Sequence, residues 1–210
     1  WLGSKASTSV LTSSANVIFK GDDYSFNGFT PDVGTTGLFK LEPAAASASF
    51  DQAVNNSWFT LNSNNQTLGN LVIGKVGNTA DIVIGALQTV AGPISIYGGT
   101  ISVNQNLSAT QTGAAVLLQA TEAINLAASK VIQTLVGDVT LNACSGGVAI
   151  GVESAIYLYT GSQILTSGGD ITLGGAYAGS EGNLYAASNI SGGGYAVRLL
   201  SATLTAAGGD

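Results

Sequence analysis

The carboxylates come first, because few other groups in this chain can do chemistry. Its 210 residues include no histidine or methionine and a single cysteine, with 12 Asp and Glu against 6 Lys and Arg. Without histidine, Ser-His-Asp and Cys-His nucleophilic catalysis are excluded, and the usual zinc ligand sets are lost as well. A glycan-cleaving centre would need clustered acids: a pair about 5–10 Å apart for hydrolysis, or carboxylates with calcium and a basic residue for elimination. Here Asp81, Glu122, Asp138, Glu153, Asp170 and Glu181 are scattered over turn-like stretches. Only Asp138 and Asp170 occupy equivalent places, in Gly137-Asp138-Val139-Thr140-Leu141 and Gly169-Asp170-Ile171-Thr172-Leu173. Adjacent coils would bring them close, yet Gly-Asp before a strand is ordinary turn chemistry. With Arg198 the only arginine, these acids read as turn residues. No catalytic, cofactor-binding or metal-binding residue is assigned.

Metal, thiol and aromatic features remain. Calcium would be sought at Asp22-Asp23 or at Gly168-Gly169-Asp170, but the calcium-binding nonapeptide requires tandem copies, and turn acids explain these places more simply. Cys144, in Asn142-Ala143-Cys144, excludes an internal disulfide framework and reads as a small buried side chain. The stretch Gly174–Gly194 has Gly-rich ends around Tyr177, Glu181, Asn183 and Tyr185. That makes it the candidate ligand or partner loop, able to present aromatic surfaces to a sugar or a protein; the competing reading makes Leu184-Tyr185 one more strand. An ice-binding face would need a regular Thr-x-Thr row, and only isolated instances such as Thr203-Leu204-Thr205 occur.

The elements that position these residues follow from a repeat. In Gly92–Leu107, Ile94-Ser95-Ile96 and Ile101-Ser102-Val103 flank a Gly-Gly corner, the pattern of two short strands with alternating faces. One apolar ladder runs Ile73, Ile96, Leu118, Leu141, Leu173, with steps of 23, 22, 23 and 32 residues. A second runs Val103, Leu126, Leu158, Leu199, with steps of 23, 32 and 41. Val131-Ile132-Gln133-Thr134 further aligns with Gln163-Ile164-Leu165-Thr166. A register through Leu165 and Ile150 has more constant steps but matches fewer polar positions.

The spacing therefore predicts an all-β fold: a parallel β-helix, or solenoid, of about 22–23 residues per coil with loop insertions in the C-terminal coils, right-handed as parallel crossovers are. The expected layout is a linker or the end of a preceding unit at 1–16, N-terminal β coils or a capping region at 17–67, and a regular solenoid at 68–210 with insertions near 148–153 and 174–194. In the middle segment Val17-Ile18-Phe19, Leu38-Phe39-Lys40-Leu41 and Trp58-Phe59-Thr60-Leu61 read as strand-like, and Glu42-Pro43-Ala44-Ala45-Ala46 as a corner rather than a helix.

Composition narrows the partners. Charged residues are only 9% of the chain against about 25% in ordinary domains, so neutral polar side chains carry the solvation. The net charge of −6 without a basic run argues against nucleic acid, and no apolar stretch approaches the roughly 18 residues of a membrane span. A start at Trp1 and a finish inside a repeat at Gly209-Asp210 lead us to expect a processed product or a piece of a longer chain. On that expectation the partners are end-to-end copies or neighbouring repeats, with surface glycans or a host or cell-surface protein as ligands.

The run Leu71-Val72-Ile73-Gly74-Lys75, Asn78-Thr79-Ala80-Asp81-Ile82, Gly92-Pro93-Ile94-Ser95-Ile96-Tyr97-Gly98-Gly99, Ala127-Ala128-Ser129-Lys130 and the repeated Gly-Asp-Val/Ile-Thr-Leu resembles the filamentous-haemagglutinin-like adhesins of Gram-negative bacterial surfaces. The resemblance covers roughly Leu68–Leu173. It implies a non-enzymatic extracellular or cell-surface protein, used for adhesion or as a filament or matrix subunit. It carries over no functional residues, since the shared motifs are structural. A glycan-binding or glycan-cleaving β-helix protein is the alternative.

Overall fold

A computed structural model describes residues 10–24, 31–61, 67–144, 154–174 and 195–208. Short strands follow one another at sharp corners. The early coils supply β1 (Val10–Ser13), β2 (Val17–Lys20), β3 (Asp32–Thr35), β4 (Leu38–Glu42), β5 (Val54–Asn55) and β6 (Thr60–Leu61). From residue 70 each coil gives three strands. These are β7 (Asn70–Ile73), β8 (Ile82–Ile84) and β9 (Gln88–Val90); β10 (Ile94–Gly98), β11 (Ile101–Val103) and β12 (Leu107–Ala109); and β13 (Val116–Ala120), β14 (Ile124–Leu126) and β15 (Val131–Thr134). Two further coils follow with β16 (Val139–Asn142), β17 (Ser154–Leu158) and β18 (Gln163–Thr166), then β19 (Ile171–Gly174), β20 (Tyr195–Leu199) and β21 (Thr203–Ala206).

Each strand pairs in parallel with its counterpart one coil away, so the chain is a parallel β-helix. One sheet runs β19-β16-β13-β10-β7-β4-β2, a second β20-β17-β14-β11-β8-β5, a third β21-β18-β15-β12-β9, and a short fourth β1-β3-β6. Both predicted ladders are present residue for residue: Ile73, Ile96, Leu118, Leu141 and Leu173 are consecutive partners, as are Val103, Leu126, Leu158 and Leu199. The alternative register fails at Leu165, which pairs with Gln133 in the third sheet; Ile150 lies outside the described residues. The first ladder also extends backward through Leu41 to Phe19.

Alternation explains the core. Along β10, Ile94, Ile96 and Gly98 are buried while Ser95 and Tyr97 are half-buried, as a period of two requires when one face looks inward. The early coils fill the same interior with rings. Phe19, Phe39 and Phe59 pack with centroids 5.5 to 6.0 Å apart, and the later coils continue the stack with Ile, Leu and Val. Trp58 departs from the strand-like reading: Asn56–Trp58 is a 3-10 turn, capped by the Asn55 side chain accepting from Ser57 N–H. Burial of Asn56 fixes it there. Its side-chain oxygen accepts from Gly85 N–H and Ala86 N–H, at 2.8 and 3.0 Å, one coil on, and this satisfies a polar group that strand geometry would have left in the core. The Glu42–Ala46 stretch is a corner as expected, closed by Ser47 N–H donating to the Ala44 carbonyl.

At the corners, coils approach backbone to backbone. A Cβ on Gly137 would overlap the Ala114 carbonyl oxygen, and one on Gly169 would overlap that of Gly137. The glycines of Gly137-Asp138 and Gly169-Asp170 are therefore required by stacking. Thr134 and Thr166 are buried just before these corners and donate to the carbonyls of Gly137 and Gly169. The expected insertion near 148–153 lies outside the described residues, and so does all of the second one beyond Gly174, which ends β19.

Candidate functional site

The acids are placed by the repeat and spent on it. Asp138 and Asp170 stand at the same corner of adjacent coils, and the Asp138 Oδ1 accepts from Asp170 N–H at 2.9 Å. The same device recurs elsewhere. Asp81 Oδ1 accepts from Thr100 N–H at 2.8 Å and Asp22 Oδ1 from Ala44 N–H at 2.9 Å; neutral Asn16 and Asn106 accept in the same way from Leu38 and Val131 N–H, each at 3.0 Å. A side chain on one coil thus receives a backbone donor of the next. Glu122 accepts from the Thr100 hydroxyl at 3.1 Å, and Asp23 from the Gln52 amide. Interchangeability of Asn and Asp at these places marks a hydrogen-bonding role, because an amide oxygen can accept but cannot serve as a general base.

Glu42 is different in charge environment. Its carboxylate, 12% exposed, meets Lys20 Nζ at 2.8 Å and also Lys40 Nζ. Hydrogen bonds from Lys20 and then Lys40 hold this carboxyl below its ordinary range. Next to it the Tyr24 hydroxyl reaches the Phe19 and Glu42 carbonyls, each at 3.1 Å, and burial, with the charges of Glu42 and Asp22, pushes its phenol up to about 12. Both shifts follow from packing at the end of the first sheet. Cys144 is buried, and its thiol donates to the Glu122 carbonyl at 3.0 Å.

The candidate ligand loop carrying Tyr177, Glu181, Asn183 and Tyr185 lies outside the described residues, as does Glu153. A different concavity is described. It has a volume of about 240 Å³ and opens on the second sheet, lined by Ser102, Asn104, Asn125, Ala127, Ala128 and Tyr159. Its origin is in the stacking. Ser102, Asn125, Tyr157 and Arg198 are consecutive partners on the outward face of β11, β14, β17 and β20. Two residues further along each strand, Ala127 N–H donates to Val103 and Tyr159 N–H to Leu126, which sets Asn104, Ala127 and Tyr159 in register just beyond the strands. The alanines leave a depression, and Tyr159 walls its end.

That wall is built. Tyr157 and Tyr159 lie on the same side of the strand, two residues apart, and stack with ring centroids 4.0 Å apart and planes at 22°. Arg198, on the next coil, sits 4.9 Å from the Tyr157 centroid, a cation–π distance. Sequence reasoning gave Tyr157 and Tyr159 no role. The signal was present in Tyr157-Leu158-Tyr159, since an i, i+2 aromatic pair in a strand must share a face.

Among the described residues no three His, Cys, Asp or Glu side chains form a group able to hold a metal ion, and no helix is long and apolar enough to cross a membrane. No family model, curated protein or solved structure matches the chain.

Proposed function

We propose that this chain is a non-catalytic β-solenoid segment of an extracellular adhesin or surface fibre, of the filamentous-haemagglutinin-like kind that its repeats resemble. The observation that carries the proposal is the use of the acids. Asp138 accepts the backbone N–H of Asp170, its counterpart on the next coil, and Asp22 and Asp81 accept backbone N–H groups in the same way, so these carboxylates act as rungs of a scaffold. What such a scaffold offers is reach. A parallel stack rises about 4.8 Å per coil, holds its shape through continuous aliphatic columns, and carries side chains on its flanks at fixed spacing.

The same reading includes end-to-end association or continuation into neighbouring repeats. It is supported by the pairing within the stack: each sheet gains one parallel strand per coil, an arrangement in which like units bury their apolar faces against one another.

Two measurements test the proposal. Acidic and neutral polysaccharides incubated with the chain should yield no new reducing ends and no unsaturated product; activity that vanishes in Asp138→Asn or Asp170→Asn would overturn the non-catalytic reading. Electron microscopy and light scattering over a range of concentrations should show rods that lengthen as concentration rises. Rods of constant length would remove self-association and leave a segment that acts only within a longer chain.

A further inference from the structure

We propose that the depression on the second sheet is a binding subsite for a neutral saccharide, with the Tyr159 ring as its stacking platform. This goes beyond the scaffold reading by adding a recognition surface to the flank of the rod, and it does not depend on whether the rods associate.

Three observations converge. The first is shape. Ala127 and Ala128 stand between Asn104 and Tyr159, so small side chains separate a polar margin from an aromatic wall, and the resulting space of about 240 Å³ is open on one side. It spans three coils, about 10 Å along the axis at two strand spacings, which is the length of one to two pyranose rings.

The second is chemistry. Beside the Tyr159 phenol, the lining supplies the Ser102 hydroxyl and the carboxamides of Asn104 and Asn125, and no carboxylate. A carboxamide presents a donor and an acceptor side by side, which matches adjacent hydroxyls of a sugar. The tyrosine supplies the apolar surface that the C–H face of a pyranose ring covers, with a polar tip left in water.

The third is preorganisation. Tyr159 is 39% exposed although it is a large aromatic residue, and its orientation is fixed by the stack on Tyr157, which Arg198 backs from the next coil. Because the platform is rigid before binding, little side-chain entropy is lost when a ligand arrives. Arg198 faces the Tyr157 ring, and the lining itself carries no charge, so the ligand chemistry that fits is an uncharged sugar.

The test uses the full chain and four probes applied separately: tetrasaccharides of α-1,4-linked glucose, β-1,4-linked glucose and β-1,4-linked N-acetylglucosamine, and an acidic oligogalacturonate. Side-chain amide resonances of Asn104 and Asn125 report binding by NMR. A neutral probe should shift them, with a dissociation constant on the order of 1 mM, as befits a small open site. Tyr159→Ala should weaken binding about tenfold, and Ala127→Leu, which fills the depression, should abolish it with an unchanged circular dichroism spectrum. Should Ala127→Leu disturb the coil, Tyr159→Ala alone decides, since that side chain lies outside the core. No shift with any neutral probe at about 10 mM overturns the proposal. So does a response to the oligogalacturonate alone, or a dissociation constant that Tyr159→Ala leaves unchanged. The scaffold reading is tested separately by rod length and polysaccharide cleavage.

Discussion

Among single residues, polar groups inside the stack divide into those that are satisfied and those that are not. Asn78 is satisfied: its amide donates to the Tyr97 carbonyl at 2.7 Å, and its oxygen accepts from the Ser49 hydroxyl at 2.9 Å and Phe50 N–H at 3.2 Å. Asn78→Ala would strand several buried partners and should cost roughly 2–4 kcal/mol in denaturant unfolding. Gln88 is the opposite case. It stands in the inward column continued by Leu107, Ile132 and Ile164, and its Oε1 is buried without a partner. Gln88→Leu restores the column and removes that desolvated oxygen, so stability should rise by about 1–2 kcal/mol. The charged residues set the pH limits. The folded-state carboxyl of Glu42 is lowered by Lys20 and Lys40, so its contribution is present above the ordinary glutamate value and lost as pH falls through the lowered one. Tyr24 works at the other end. Its phenol is raised to about 12, so stability is whole below the usual tyrosine value of about 10 and declines as pH rises from there toward 12. Melting temperature against pH should show both limbs, with Tyr24→Phe flattening only the alkaline one and Glu42→Gln flattening the acid one while also easing the alkaline one, since the Glu42 charge helps raise the Tyr24 phenol.

At the level of elements, the strands were legible because the repeat fixes polar as well as apolar positions. Gly-Asp-Val-Thr-Leu and Gly-Asp-Ile-Thr-Leu align their glycine, acid and threonine along with the aliphatics, and the observed pairs Val139 with Ile171 and Thr140 with Thr172 follow. Hydrophobicity alone would have allowed the slipped register through Leu165. The 3-10 turn at Asn56–Trp58 was not legible, since it depends on donors at Gly85 and Ala86 that lie about 30 residues away. The groove escaped for a related reason. It is made by outward residues of three different coils, and its shape depends on small side chains at Ala127 and Ala128 rather than on any conspicuous motif. Only Tyr157 and Tyr159, given the register, could have pointed to it. The corners make their own prediction. With Gly137 packed against the Ala114 carbonyl, Gly137→Ala forces two coils apart and should destabilise the chain by at least about 3 kcal/mol, whereas Gly113→Ala meets no neighbour and costs only the strain of a positive φ, about 1 kcal/mol. Urea titrations of the two variants give the comparison directly.

For the whole molecule, the architecture is one-dimensional: each coil touches its neighbours, and stability is close to a sum of coil terms and interface terms. That makes removal of a coil interpretable. β10 pairs with β13 at an offset of 22, Ile94 with Val116 and Ile96 with Leu118. Deleting residues 94–115 therefore joins Pro93 to Val116 in the place of Ile94, and it lets β13 take the position of β10 against β7. Every inward residue keeps its face. Deleting 94–114 instead shifts the chain by one residue, and a slip of one turns the apolar set of a strand outward. The first variant should fold with a parallel β spectrum and a smaller denaturant slope, in proportion to the surface it no longer buries; the second should lose cooperative unfolding. The in-register deletion also bears on recognition. It removes Ser102 and Asn104, and Val83 and Gly85, their partners one coil back, come to lie beside Asn125 and Ala127 in their stead, while Tyr157 and Tyr159 keep their neighbours on β14. The shortened rod should thus keep its fold and its aromatic wall but lose neutral-saccharide binding. Retained binding would mean that Tyr159 acts alone, as an exposed ring without a built subsite.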